Sequence, residues 1–172
     1  MFATRYSRTM MLLHWLTVLV LTVLFVAGLV AVRLPLDSPI KPRLFRLHAV
    51  LGYVMLFLTL ARLVVKFRTP QPTPPSGMSG LRLALYRLVH GLLYLLMLAM
   101  SITGVGILVQ SGLGPWPFFD VAGLNLEARA VGLHLTLKLV LLALVFLHVA
   151  GVFSYQWTKG PILHRMGLGK GR

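Results

Sequence analysis

Four long apolar runs, at residues 11–32, 47–65, 83–109 and 130–155, alternate with short segments rich in charge, proline and glycine. About 20 apolar residues in helical conformation cross the roughly 30 Å hydrocarbon layer of a bilayer. Each run meets that length, so the pattern predicts four membrane-spanning helices. Short connections favour antiparallel neighbours, so the expected fold is an all-α membrane protein, a four-helix transmembrane up-and-down bundle forming a single domain over residues 1–172. Arg5 and Arg8 precede the first run. At 22 residues that run is too long for the apolar core of a cleaved signal, and it reads as a permanent span.

The breaks between runs carry their own signals. The first, "RLPLDSPIKPRLFR", holds three prolines, and the second, "KFRTPQPTPPSGMSG", has enough proline and glycine to stop any helix. The third, "QSGLGPWPFFDVAGLNLEARA", places Trp116, Phe118 and Phe119 where an aromatic belt or a short interfacial segment belongs. Within the third run, Gly104 and Gly106 mark a place where a neighbouring helix can approach closely. The tail "QWTKGPILHRMGLGKGR" is basic and is expected to end in disorder, with His164 solvated or at lipid-headgroup level.

Composition sharpens the picture. The chain of 172 residues is 58% hydrophobic and 12% charged, with a mean hydropathy of +0.85. One soluble core cannot hide that much apolar surface. No cysteine is present, which removes disulfides, iron–sulfur clusters, thiolate zinc sites and covalent haem attachment. The only acids are Asp37, Asp120 and Glu127, too few for carboxylate-bridged metal pairs. A net charge of +14 could suggest nucleic acid, but the 17 basic residues cluster at the ends of the apolar runs. That is the distribution of membrane topology and anionic-lipid contact, so a bilayer and no nucleic acid is expected.

Orientation follows from those charges. Arg5, Arg8, Arg62, Lys66, Arg68, Arg82, Arg87, Lys159, Arg165, Lys170 and Arg172 fall on one side, and Arg33, Lys41, Arg43, Arg46, Arg129 and Lys138 on the other. The positive-inside rule then puts both termini on the cytoplasmic side of the membrane.

Histidines supply the candidate chemistry. His134 and His148 share the last run and lie 14 residues apart. At about 100° per residue they return nearly to one helix face, about 21 Å apart along the axis. In the predicted topology His14 lies at the inner level with His148, and His48 at the outer level with His134. Imidazoles facing each other in a bundle core suit a b-type haem held axially from both sides without covalent links. Arg62 follows His48 by the same 14-residue interval and so points to the inner level, where a haem propionate or a quinone carbonyl would partner it. Arg87, His90 and Tyr94 are expected to share one face of the third helix at that level, against the same propionates or a quinone headgroup. By geometry alone His90 could replace His14 as inner ligand, His14 being then an interfacial residue beside the anchor Trp15. Lys138 is expected to snorkel toward the interface, and the methionines to pack.

The segments "RYSRTMMLLHW", "RLHAVLGYVMLFLTLARLVVKFRTPQPTPP", "HGLLYLLMLAMSITG", "GPWPFF" and "GLHLTLKLVLLALVFLHVAG", in this order over nearly the whole chain, resemble the prokaryotic cytochrome b561 family. The resemblance implies four helices holding two b haems. His14 and His148 would be the metal ligands of the cytoplasmic haem, and His48 and His134 those of the outer one. It also implies superoxide:ubiquinone oxidoreduction, with electrons taken from superoxide at the outer face and passed to membrane ubiquinone. At the outer end this chain departs from the best-known member, with Lys138 in place of a small residue and no histidine pair after His148.

The functional expectation is therefore one-electron transfer between an outer donor, superoxide, and quinone. The outer cations Arg33, Lys41, Arg43, Arg46, Arg129 and Lys138 would steer an anionic donor or neutralise haem propionates. Two alternatives stand beside it. One is a haem b anchor subunit of a hydrogenase- or formate-dehydrogenase-like complex, fed by a redox partner protein. The other is a haem-free four-span scaffold or transporter.

Overall fold

The computed structural model describes residues 5–75, 77–78 and 80–169. Four helices dominate: α1 (Arg8–Arg33), α2 (Lys41–Arg68), α3 (Gly80–Gln110) and α4 (Arg129–Thr158), with short 3-10 turns at Val121–Gly123 and Leu163–Met166. All four are long and apolar enough to cross a membrane. Each overruns its apolar run at both ends.

Local chemistry explains the ends. Ser7 caps α1, its hydroxyl oxygen accepting from the Met10 N–H at 3.2 Å. Pro42 sits in the first turn of α2, where its missing N–H costs no helical bond. Thr69 ends that helix directly before Pro70, which disfavours helical geometry in the preceding residue. After α3 the chain turns through Gly112 at φ +71°, with Leu113 N–H bonded to the Leu108 carbonyl and Gly112 N–H to the Val109 carbonyl, both at 3.0 Å. That pair of bonds is a glycine-dependent helix stop. No side chain of its own caps α4, and Gln110 takes the role from the end of α3, its Oε1 accepting from the Ala130 N–H at 3.1 Å.

Backbones approach closely along α1–α2, along α3–α4, and less extensively along α2–α3. Among the described residues no comparable approach joins α4 to α1 or α2. The bundle's mid-height is closed by Leu24, Met55, Leu96, Met97 and Leu141. Leu141 is 1% exposed and stands seven residues from both His134 and His148, so an apolar layer separates the two histidine levels. Buried hydroxyls are satisfied within their own helices, Thr17 on the Leu13 carbonyl and Thr59 on the Met55 carbonyl. The outward faces carry large exposed apolar side chains such as Phe57, Leu139 and Phe146, the surface that lipid covers in a spanning bundle. Gly106 allows close approach as expected, since a Cβ there would lie 3.6 Å from Ala130 Cβ on α4.

The described part of the tail is folded, and the end for which disorder is expected lies outside the described residues. Through Gly169 the tail folds back on the bundle, while Lys170 and Arg172 lie outside the described residues. Gln156 Oε1 accepts from the N–H groups of Ile162 and Leu163, and Gly167 at φ +86° closes the 3-10 turn. Tyr6 N–H donates to the Arg165 carbonyl, Trp15 Nε1–H donates to the Met166 carbonyl, and the buried Arg165 guanidinium donates to the Thr73 carbonyl. These contacts bring the chain's two terminal segments to one end of the bundle, which takes the label inner from the expected topology, the opposite end being labelled outer. They also correct the reading of His164, which is half-buried with its Nδ1 enclosed. A short turn that satisfies its own carbonyls can pack on α1 where a solvated coil would not.

Candidate cofactor sites

The histidines meet at two levels. At the outer end His48 on α2 faces His134 on α4, with ring centres 6.1 Å apart and planes at 71°. At the inner end His14 on α1 faces His148 on α4 at 6.4 Å and 63°. Both pairs span the side of the bundle where α4 stands away from α1 and α2. A metal–imidazole nitrogen bond is about 2.0 Å and the ring centre lies about 1.1 Å behind the nitrogen, so two axial imidazoles on one metal sit about 6.2 Å apart, centre to centre. The residues present therefore fit an iron gripped from both sides. Among the described residues no group of three or more His, Cys, Asp or Glu is placed to hold a metal ion. Two protein donors suit a metal that brings its remaining ligands with it, as the iron of a porphyrin does.

The outer imidazoles are oriented by acceptors. His48 Nδ1–H donates to the Leu24 carbonyl at 3.0 Å. Thr103 gives its hydroxyl proton to the Met100 carbonyl, so its oxygen accepts from His134 Nδ1–H at 3.0 Å. Each bond fixes the tautomer and leaves Nε2 free as a ligand, the arrangement usual for metal-binding histidine.

The inner site is built differently. Arg62 reaches it from α2, its Nη2–H donating to His14 Nδ1 at 3.3 Å, while its Nε is buried with no hydrogen-bond partner. The guanidinium also lies 5.1 Å from the centre of the Tyr94 ring, and Lys66 Nζ lies 5.0 Å from it. Two cations against one aromatic ring, with an unsatisfied buried donor, form a cluster suited to an anion. His90 joins this level, its ring centre 5.0 Å from that of His148 and its Nδ1–H on the Tyr86 carbonyl at 2.7 Å. That separation is too short for both rings to bind one metal from opposite sides, whereas His14 stands at the fitting distance.

Arg87 does not share the His90 face. It is exposed, and Tyr86 occupies the corresponding inward position, its hydroxyl 3.0 Å from that of Tyr6. Helical phase contributes to the difference: residues 86, 90 and 94 follow the i, i+4 line, and Arg87 is turned about 100° from Tyr86 and about 60° from His90. Thr103, the Leu24 carbonyl and Tyr86 were not legible in advance, because no local spacing marks a partner that orients another residue's ring. At the outer end Arg33, Arg43, Arg46 and Arg129 are exposed. Arg46 Nε–H donates to the Phe119 carbonyl at 3.3 Å, tying α2 to the segment that carries the exposed Trp116 and Phe118.

Four spanning helices with paired imidazoles at opposite ends of their interior define a membrane protein of the redox-cytochrome class. The family described as prokaryotic cytochrome b561 matches residues 5–169. The chain is 28% identical to "Cytochrome b561 homolog 1" of Escherichia coli (strain K12), in an alignment covering 94% of this chain and 96% of that protein. It is 25% identical to "Probable superoxide oxidase CybB" of Yersinia pestis, covering 94% and 95% respectively. The chain belongs to the prokaryotic cytochrome b561 family, membrane electron-transfer proteins whose cofactor is haem b.

Proposed function

We propose that the protein is a di-haem b cytochrome of the bacterial inner membrane that carries single electrons from superoxide at its outer face to membrane ubiquinone. The observation that carries this reading is the pair of imidazole couples, 6.1 and 6.4 Å between ring centres, at opposite ends of one bundle. His48 and His134 would hold the outer haem, and His14 and His148 the inner one. When bound, haem supplies a one-electron iron couple with no open coordination position. Two superoxide anions would lose one electron each and leave as dioxygen, and one quinone would gain two electrons and two protons to become quinol.

The chain's own residues have defined tasks in this scheme. Leu24 and Thr103 hold the outer rings, and the apolar layer around Leu141 keeps water and ions from crossing between the levels. Arg62 places a cation at the inner level, and its unpartnered Nε is the donor an anionic propionate would take. For His14 to ligate through Nε2, Arg62 must release its Nδ1, which an arriving carboxylate would bring about by drawing the guanidinium to itself. Exposed Arg33, Arg43, Arg46 and Arg129 would raise the encounter rate of an anionic donor at the outer face. The similarity to a probable superoxide oxidase supports the choice of donor.

The test adds superoxide to purified oxidised protein, with and without ubiquinone, and follows haem absorbance and quinol formation together. Rapid haem reduction without quinone, and steady quinol formation with it, is the expected result. Haem that superoxide cannot reduce overturns the choice of donor.

A further inference from the structure

We propose that Gly28 is a positioning residue for the outer imidazole pair, the point on α1 where the lack of a side chain lets the His48 ring lie against the helix. A Cβ at Gly28 would fall 3.1 Å from His48 Cε1 and 3.2 Å from Nδ1, tighter than nine in ten real contacts of that kind, so the ring would have to yield by a few tenths of an ångström. Leu24, whose carbonyl accepts the His48 Nδ1–H, lies one turn earlier on the same face of α1. Gly28 and Leu24 therefore act together, one giving room for the ring and the other orienting it. The ring cannot give way freely: withdrawal from α1 stretches the 3.0 Å bond to Leu24 and alters its 6.1 Å centre-to-centre spacing from His134.

The opposite ring has a milder version of the same seat. Gly104 on α3 would place a Cβ 3.8 Å from His134 Cε1, ordinary contact, directly beside the Thr103 that holds His134 Nδ1. The inner level has none: a Cβ at Gly91 or Gly151, the glycines next to His90 and near His148, would meet nothing within 4 Å. Among the described residues this steric seat thus belongs to the outer site alone. Its consequence is electronic as well as geometric, because an Nδ1–H held on a carbonyl makes the imidazole a stronger donor and favours ferric iron. Displacing the ring should raise the outer haem's potential and alter the angle between its axial ligands.

The inference rests on the haem reading above, and the experiment separates the two. Haem content, redox titration and low-temperature electron paramagnetic resonance are recorded on purified full-length protein, Gly28→Ala, His48→Ala, and Gly132→Ala as control. Gly132 is an exposed α4 residue whose Cβ would meet nothing within 4 Å, so it shows the effect of a glycine-to-alanine change in a helix by itself. Loss of one haem in His48→Ala supports the haem reading whatever Gly28→Ala does, and retention of both overturns that reading. Gly28→Ala is expected to lose outer haem, or to keep it with a shifted resonance signal and raised potential, the inner haem and the control being unchanged. Normal signals and potentials for both haems in Gly28→Ala overturn the positioning role. Should Gly28→Ala fail to assemble, it is combined with His48→Ala. Assembly of the double variant to the level of His48→Ala shows that the histidine ring was the obstacle, and failure in both backgrounds overturns the proposal.

Discussion

At the scale of single residues, the account turns on which side chains belong to which level. His48→Ala or His134→Ala should lower haem content from two to one per chain and leave the inner spectrum intact, and His14→Ala or His148→Ala should do the converse. Pyridine haemochrome assay with redox difference spectra reads both outcomes. Arg62→Gln should retain both haems but lower the potential of the inner one. A unit charge within about 8 Å of an iron is worth about 2 kcal/mol at an effective dielectric of about 20. That corresponds to about 90 mV for a one-electron couple. An unchanged midpoint would remove Arg62 from the site. Much of this was legible in the chain itself, since the 14-residue intervals from His134 to His148 and from His48 to Arg62 fix faces and levels through helical periodicity alone. What the pattern could not reveal was phase at finer grain. Arg87 sits one residue off the inward line, and the Thr103 hydroxyl orients a ring on another helix.

At the scale of elements, each helix exists because a bilayer forces its backbone to bond internally, so the apolar runs predicted the helices while their ends depended on caps. The cap of α4 is an example: it comes from Gln110, outside the helix it serves. Gln110→Ala should cost about 1 kcal/mol, the usual value of a lost N-terminal cap, seen as a lower temperature for thermal loss of the haem spectrum. Leu141→Ala opens a void in the layer between the two levels and should cost about 2–3 kcal/mol by the same assay. Equal melting of wild type and Leu141→Ala would show that this layer does not hold α4 in place. The tail shows where reading by run and break fails. A basic stretch with four glycines resembles a coil, yet Gln156, Gly167 and the Met166 carbonyl give its described part enough partners to dock on Trp15 and Tyr6.

At the scale of the whole molecule, α4 carries one histidine of each pair and yet approaches α1 and α2 far less closely than α3. A flat group inserted at each level would complete the packing on that side, so removal of haem should loosen α4 before the other helices, visible as faster amide exchange confined to 129–158. Charge is also organised at this scale. The outer end holds six cations and three acids, and a donor drawn in by that field should react more slowly as salt is raised. A superoxide reaction rate independent of ionic strength would argue against steering. The central claim is tested most directly by the haem-to-protein ratio of the purified chain, measured with its reduced-minus-oxidised spectrum. Two haem b per chain, each low-spin with a sharp reduced band, is the result the account predicts; a colourless protein, or one that saturates at a single haem, would contradict it.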